Sequence, residues 1–308
     1  MVKNPPFKLA FLGPKYWPTW LGVFVLYALS WLPFFIQIQL GKAIGLLVHR
    51  FAKKRKKIAQ VNIQLCFPDM PADQQAQLVL KNMQQTGIAI FESGMAWWWP
   101  QWRVRRHFGG IKGFEHIEAI QKTGKGVLLL VPHMLHLEMA GRMMGITQQG
   151  IGFYRPHNNA LMEFLMTRGR LRSNEYLIGK RDVKGLLKAL KDTKLCYYLP
   201  DQDYGRKRAE FVPFFAVKDA ATTTGTTLFA SSQHCETVSF MSKRDDNGKY
   251  YLEITPLPHG FPSGDDKQDV TQVNQAIETA VLNAPEQYMW LHRRFKTRPD
   301  PASPSLYL

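Results

Sequence analysis

The chain has 308 residues, of which 45% are hydrophobic, and this is enough to bury one large core or two small ones. Its formal net charge of +16 favours anionic partners such as nucleic acid, anionic lipid or an acidic protein. The three cysteines, Cys66, Cys196 and Cys235, are widely spaced and form no CxxC pair, which argues against a disulfide framework and a zinc knuckle.

The segment from Trp17 to Ile36 contains no charged residue in twenty positions. As a single helix it would extend for roughly 30 Å, the hydrocarbon thickness of a bilayer. The basic cluster from Lys53 to Lys57 follows it, which favours the cytoplasmic side of a membrane. We therefore expect residues 1–57 to form an N-terminal membrane anchor, either spanning the bilayer or lying in its interface. A hydrophobic helix buried in a soluble core is the alternative.

Residues 58–308 are expected to form a second, larger unit. A helix is predicted from about Asp73 to Trp99, with Gly87 as an interruption. From about Gly110 onward, strand patterns alternate with helix patterns. Strands are predicted at 126–131, 151–154, 195–199, 211–215, 236–243 and 249–255, and helices at 160–172, 182–191, 222–232 and 269–282. The Asn-Gly pair in Asp245-Asp-Asn-Gly248 predicts that the last two strands form a hairpin. This alternation predicts an α/β fold with a mainly parallel or mixed sheet flanked by helices.

The stretch from Gly126 to Gly145 is the most informative part of this pattern. It reads as a buried strand, a polar elbow and a helix that ends at Gly145, with His133, His136 and Glu138 at the elbow. Ligands of α/β proteins bind at the carboxyl ends of strands, so we look for chemistry here.

His133 and Glu138 would point about 140° apart on one helix. They meet only if His133 lies on the elbow and Glu138 in the first helical turn. A carboxylate in that position can hold one ring nitrogen of His133 and leave the other free as a base. His136 is interpreted as a satisfied elbow or core residue.

Several familiar catalytic motifs are missing from the sequence. It contains no GxSxG elbow, Walker A loop, GxGxxG or HExxH pattern. This counts against a serine hydrolase, a nucleotide-dependent transferase, a dehydrogenase and a zinc metalloprotease.

Motifs spread in order over nearly the whole chain resemble the late acyltransferases of lipid A biosynthesis, in the lauroyl/palmitoleoyl branch. That family is related to the glycerolipid acyltransferases, whose signature is His-x4-Asp or His-x4-Glu. The similar stretches are Tyr16-Trp17, Trp20-Leu-Gly22, Leu65-Cys-Phe-Pro68, Gly94-Met-Ala-Trp97, Val131-Pro-His-Met-Leu-His-Leu-Glu138, Gly150-Ile-Gly-Phe-Tyr-Arg-Pro156, Pro200-Asp-Gln-Asp-Tyr-Gly205, Phe211-Val-Pro-Phe-Phe-Ala-Val217, Ala220-Ala-Thr-Thr-Thr-Gly225 and the segment from Ala284 to Pro299.

The resemblance implies an enzyme of the bacterial inner membrane with a single N-terminal anchor and an acyltransferase domain, residues 58–308, on the cytoplasmic side. Such enzymes move an acyl chain from acyl carrier protein to a hydroxyl of a Kdo-bearing, tetra-acylated lipid A precursor. It implies no cofactor, no metal and no nucleic acid partner. Lauroyl is the first expectation for the transferred acyl chain, with palmitoleoyl and myristoyl as alternatives.

The resemblance also implies roles for particular residues. His133 would be the general base and Glu138 its orienting partner. Arg170 would bind a phosphate or the oxyanion, Asp201 would organise the site, and Arg155 is a candidate phosphate ligand. Structural ion pairs or surface salt bridges are the alternative roles for these last three residues.

Two other functions stay open from the sequence. A lysophospholipid or glycerol-phosphate acyltransferase would share the His-x4-Glu signature, but the Phe-Pro-Glu-Gly-type block of that branch is absent. A non-catalytic protein that binds anionic lipid or nucleic acid would account for the charge and the apolar N-terminus.

Overall fold

A seven-stranded sheet forms the centre of the protein in a computed structural model that describes residues 1–307. Its strand order is β1-β9-β8-β2-β5-β3-β4, and β8 and β9 are the one antiparallel neighbouring pair in it. The remaining strands, β6 and β7, form a separate antiparallel pair. The bounds are β1 Phe108–Lys112, β2 Gly126–Leu130, β3 Gly150–Tyr154, β4 Asn174–Gly179, β5 Leu195–Tyr198, β6 Ala209–Phe214, β7 Val217–Thr223, β8 Cys235–Arg244 and β9 Tyr250–Pro256.

Eleven α-helices within residues 1–307 surround this sheet. In chain order they are α1 Trp17–Ser30, α2 Phe34–Phe51, α3 Lys53–Cys66, α4 Ala72–Trp98, α5 Gln101–His107, α6 Phe114–Lys122, α7 Leu137–Thr147, α8 Ala160–Arg170, α9 Val183–Lys191, α10 Gly225–Ala230 and α11 Asp266–Leu282. The α/β fold with a mainly parallel, mixed sheet is therefore confirmed, as is the hairpin between β8 and β9.

Side chains of alternate sheet residues enter two different hydrophobic cores. Val127 and Leu129 of β2 pack with α4, α5, α6 and α7 on one side of the sheet, which we call the α7 side. Leu128 and Leu130 pack with α3, α9, α10 and α11 on the other side. All five residues of β2 are buried. Both faces of this strand are covered, which explains why its sequence is continuously apolar rather than alternating.

The N-terminal apolar segment does not form the single helix expected from Trp17 to Ile36. Helix α1 ends at Ser30, and the chain turns before α2 begins at Phe34. Pro33 explains the break, because it has no backbone N–H and disfavours the helical conformation of the residue before it. Within residues 1–307 we find no helix whose length and apolar character would carry it through a bilayer.

Gly87 and Gly145 were both expected to interrupt or end a helix, and both expectations are wrong. Helix α4 runs unbroken through Gly87, where a Cβ atom would collide with the backbone of Gly41 and Gly45 in α2. Helix α7 passes Gly145 and ends at Thr147. A Cβ at position 145 would collide with Ser173. Each glycine permits close packing of the helix rather than a turn.

The helix predicted at 222–232 is also only partly correct. Thr222 and Thr223 pair with β6 as the end of β7, and helix α10 begins afterwards at Gly225. β-Branched threonines fit a paired strand well. The helix was predicted to begin too early because the local sequence pattern does not show that this segment pairs with β6.

Candidate active site

His133 lies on the elbow between β2 and α7, at the carboxyl edge of the sheet. The backbone on both sides of it is fixed by other elements. The His133 N–H donates to Asp201 Oδ2 at 2.8 Å, and the Met289 N–H donates to the His133 carbonyl at 3.0 Å. Strand β5 ends three residues before Asp201, so two neighbouring parallel strands, β2 and β5, deliver the two residues to the same place.

The carboxylate on the His133 ring belongs to Asp201. His133 Nδ1 lies 2.5 Å from Asp201 Oδ1, and Asp201 is 1% exposed. Burial raises the pKa of the Asp201 carboxyl, but the His133 ring and the hydrogen bonds from its side chain and backbone lower it by more, so the net pKa lies below the ordinary value. An ionised carboxylate only accepts hydrogen bonds. The ring proton therefore sits on Nδ1, and Nε2 is left as the basic nitrogen.

The expectation that Glu138 holds the His133 ring is wrong. Glu138 Oε1 accepts from Arg170 Nε at 3.0 Å and from Nη2 at 2.5 Å, and Oε2 accepts from the Trp97 indole N–H at 3.0 Å. Burial raises the pKa of Glu138, whereas Arg170 and Trp97 lower it, and the net direction is downward. Glu138 does lie in the first turn of α7, where its charge is favoured, but there it faces α8.

Two asparagines hold a segment of the C-terminal tail against the elbow. Asn82 of α4 donates to the Tyr288 carbonyl at 2.6 Å, and Asn62 of α3 donates to the Trp290 carbonyl at 2.6 Å. Next to them, Leu135 N–H donates to the Gln287 carbonyl at 2.7 Å. The tail thereby forms a wall of the site. The sequence allowed a tail that covers the site but did not give its contacts, because the partners lie more than one hundred and fifty residues apart.

Trp97 was also missed as a site residue, although the Trp97-Trp-Trp99 run was visible in the sequence. Its indole packs where a Cβ of Gly169 would lie and donates to Glu138. The end of α4 thus joins α7 to α8 at the Glu138–Arg170 pair.

A cavity of about 1210 Å³ opens beside His133. Its wall is formed by α4, α7, α8, the ends of β3 and β5, and the tail. Apolar and aromatic residues form slightly more than half of the lining, and polar residues, among them His133, Glu138 and Arg170, form the rest, a mixture that suits a ligand with both apolar and polar parts. Four arginine and lysine side chains line it as well: Arg55, Arg155, Arg170 and Lys180.

The sequence-predicted residues therefore divide into three groups. His133 and Asp201 form one hydrogen-bonded pair, and Glu138 and Arg170 form another on the cavity wall. Arg155 lies exposed at the end of β3, lines the cavity, and forms no ion pair with any residue from 1 to 307.

His136 behaves as predicted for a satisfied core residue. It is 2% exposed, and its Nε2 lies 2.9 Å from Ser242 Oγ. Burial, followed by the charge of Arg244, lowers the pKa of His136 to about 3, so the ring stays neutral at physiological pH.

The protein's own thiols do not provide an activated nucleophile. Cys66, Cys196 and Cys235 are all buried, and burial raises the pKa of each thiol. A thiolate is the reactive form of cysteine, so these residues are chemically inert. Across residues 1–307 there is also no cluster of three or more side chains suited to hold a metal ion.

The fold and the site together define a class: an α/β protein in which a histidine, hydrogen-bonded to a buried carboxylate at the carboxyl edge of the sheet, lines a large cavity. A chain-wide family comparison agrees with this class. Residues 4–297 match the family described as bacterial lipid A biosynthesis acyltransferase. The chain belongs to this family and is an acyltransferase of lipid A biosynthesis.

Individual relatives are similar over their full length. The chain is 44% identical to the lipid A biosynthesis lauroyltransferase of Escherichia coli strain K12, with all of both chains covered. It is 43% identical to the palmitoleoyltransferase of the same strain, again with all of both chains covered. A lipid A biosynthesis acyltransferase of Haemophilus influenzae is 40% identical, with 99% of this chain and 98% of that protein covered.

Proposed function

We propose that this protein transfers a lauroyl chain from acyl carrier protein to a hydroxyl of a Kdo-bearing, tetra-acylated lipid A precursor, with His133 as the general base. The observation that carries the proposal is the His133–Asp201 pair at the mouth of a partly apolar cavity. The pair supplies a base and the cavity suits an acyl chain, which are the two things that direct acyl transfer to a hydroxyl needs.

In the proposed reaction, His133 Nε2 takes the proton from the acceptor hydroxyl while its oxygen attacks the thioester carbonyl carbon. Asp201 stabilises the imidazolium that forms. The tetrahedral intermediate then collapses: the C–S bond breaks, an ester forms, and the imidazolium returns its proton to the leaving thiolate. The substrate supplies the nucleophile, so no acyl-enzyme is needed, in keeping with the buried, inert cysteines.

Arg170 and Arg155 are proposed to meet the negative charges of this reaction. Two of the Arg170 nitrogens are occupied by Glu138, which fixes the guanidinium in one orientation and leaves Nη1 free of hydrogen bonds within residues 1–307. A fixed donor of this kind stabilises a phosphate or a developing oxyanion without reorganising. Arg155, exposed and unpaired at the cavity rim, is proposed as a phosphate ligand.

The charge of the chain supports the proposed partners. Acyl carrier protein is acidic and the lipid A precursor is phosphorylated, whereas this chain carries a net charge of +16. Opposite charge accelerates the encounter with either substrate.

The proposed acyl length follows the relatives. Relatives named for lauroyl and for palmitoleoyl transfer match this chain at 44% and 43% identity, so palmitoleoyl is the second candidate. The assay below distinguishes them when the two donors compete in one reaction.

We propose attachment to the cytoplasmic face of the bacterial inner membrane through the interface, rather than through a spanning helix. Helices α1 and α2 expose several large apolar side chains, among them Leu21 at 66% and Phe24 at 67% exposure. The basic cluster from Lys53 to Lys57 begins α3 directly after them. An apolar face beside basic residues is typical of helices that lie in the headgroup region of anionic membranes.

The first test is a transfer assay with purified protein in detergent, lauroyl-acyl carrier protein and the tetra-acylated, Kdo-bearing precursor. Mass spectrometry should detect a product heavier by one lauroyl group. His133→Ala should lower the transfer rate by at least about 10³-fold, because general-base assistance and the substrate's orientation at the base are both lost.

His259→Ala is the matched control, because His259 lies exposed in the loop after β9 and should leave the rate unchanged. If the protein transferred an acyl chain from acyl-coenzyme A to a lysophospholipid and none to the lipid A precursor, it would be a lysophospholipid acyltransferase, and the proposed function would be wrong. Full activity in folded His133→Ala would overturn the role of the base.

A further inference from the structure

One part of the cavity is lined by residues on the α7 side of the sheet, and we call this part the α7–α8 channel. Four apolar side chains line it: Leu137, Met166, Leu177 and Leu199. Tyr176 and Ile178 of β4 enter the core on the opposite side, so Leu177 between them points to the α7 side, where Leu199 also packs. The channel therefore lies between the sheet and the two helices α7 and α8.

Glycines make room for this channel on both of its walls. Gly152 of β3 and Gly141 of α7 line it, and neither has a side chain to fill it. At Gly152 an added Cβ would press on the Leu177 side chain. At Gly141 an added Cβ would meet no atom within 4 Å. Gly141 is thus the position where the helix faces open space inside the cavity.

About one helical turn beyond Gly141, helix α7 packs so closely that it leaves no space for a side chain. Gly145 lies on the same face of α7, four residues further on, and a Cβ there would collide with the side chain and backbone of Ser173. In the other direction, Glu138 lies three residues before Gly141 and carries the Arg170 pair. Gly141 therefore lies between the Glu138–Arg170 pair and the close contact of Gly145 with Ser173.

We propose that Gly141 determines the length of acyl chain that the enzyme accepts, by leaving space for the distal carbons of the donor chain in the α7–α8 channel. This inference rests on the proposed function. Each buried methylene contributes about fourfold to affinity, so a side chain that occupies this space penalises long chains and leaves short ones unaffected.

The experiment uses two variants of increasing size, Gly141→Ala and Gly141→Leu, with the full-length protein. Donors are acyl carrier proteins charged with chains of eight, ten, twelve, fourteen and sixteen carbons. Gly141→Leu should lower kcat/KM for the twelve-carbon donor about tenfold or more relative to the eight-carbon donor, and Gly141→Ala should cause a smaller shift in the same direction. Alanine and leucine are better helix formers than glycine, so α7 should stay folded.

Ala119→Leu is the matched control, because Ala119 is an exposed helical position on α6 that does not line the cavity. It should leave the donor profile unchanged. The inference would be overturned if both Gly141 variants kept the wild-type donor profile, or if they lost activity equally with every donor. Transfer by the wild-type protein would still support the proposed function in that case. If the wild-type protein transferred no acyl chain from any of these donors, the proposed function itself would fail.

Discussion

The chemistry of this site is decided by which carboxylate touches which partner. Asp201 is buried and paired with the His133 ring, and it therefore fixes the ring proton on Nδ1. Glu138 is paired with Arg170 and Trp97, so it holds a guanidinium rather than an imidazole. In the proposed reaction the two pairs have different roles: Asp201 orients the base His133, and Glu138 orients the Arg170 cation towards the cavity.

We expect Asp201→Asn to lower kcat by roughly 10³-fold or more near neutral pH, because the amide gives no charge to stabilise the imidazolium and does not enforce the ring tautomer. Glu138→Gln should lower kcat by about tenfold at most and act mainly on KM, because Arg170 keeps one hydrogen-bonding partner but becomes less fixed. Steady-state assays of both variants, with a pH profile of each, measure the difference.

A reversed order, with Glu138→Gln the more damaging to kcat, would mean that Glu138 orients the base after all. Asp203→Asn is the control for Asp201→Asn. It removes a nearby buried carboxylate that accepts from Thr297 rather than from His133, so it should change the pH profile little.

At the scale of elements, the N-terminal helices have two unlike faces. One face of α2 packs closely on α4 through Gly41 and Gly45, where any side chain would collide with α4. The other face, together with α1, exposes large apolar side chains. Helices that bury one side in the protein and leave an apolar side uncovered are suited to a membrane interface.

We expect Leu21→Ser combined with Phe24→Ser to weaken binding to vesicles of phosphatidylethanolamine and phosphatidylglycerol by about tenfold or more, because two large apolar contacts are lost. Co-sedimentation with the vesicles measures the change. Added salt should weaken the remaining binding, since screening reduces the attraction between the Lys53 to Lys57 cluster and anionic headgroups.

Leu282→Ser is the matched control for this experiment. Leu282 is 58% exposed at the end of α11, outside the N-terminal helices, so its loss should leave vesicle binding unchanged. Equal binding by the double variant and the wild-type protein would show that this part of α1 does not contact the membrane.

At the scale of the whole molecule, two histidines are held neutral by folding, one in the core and one on the cavity wall. His136 and His292 are held neutral, with pKa values of about 3 and about 4, mainly by burial. In the unfolded chain both return to an ordinary pKa near 6.5. The unfolded state therefore binds more protons than the folded state as the pH falls below that value, and stability decreases with acidity.

We expect the free energy of unfolding to fall between pH 7 and pH 5, with about 2 kcal/mol of that fall contributed by His136. The sign follows from its lowered pKa: the stability is fully present above pH 6.5 and is lost as the pH falls towards 3. His136→Gln should show a smaller loss over this range in urea denaturation. His259→Gln should retain the full wild-type dependence, and an equally steep loss in both variants would contradict the assignment.

The sequence alone determined the α/β fold, the β2–elbow–α7 unit and the presence of His133 at its turn. These features depend on local patterns: a continuous apolar run for a strand buried on both faces, and polar residues where it ends. The hairpin of β8 and β9 was fixed in the same way by its Asn-Gly turn. The order of the motifs along the chain is also a property of sequence, and it identified the family correctly.

Only the tertiary structure decided the partners within the site. Asp201 reaches His133 across 68 positions because β2 and β5 are neighbours in the sheet, whereas Glu138 turns with α7 towards Arg170 on α8. The break at Pro33 and the close packing at Gly87 and Gly145 were likewise set by what lies opposite each residue. Spacing along the chain limits where a side chain can point, but packing between distant elements decides what it touches.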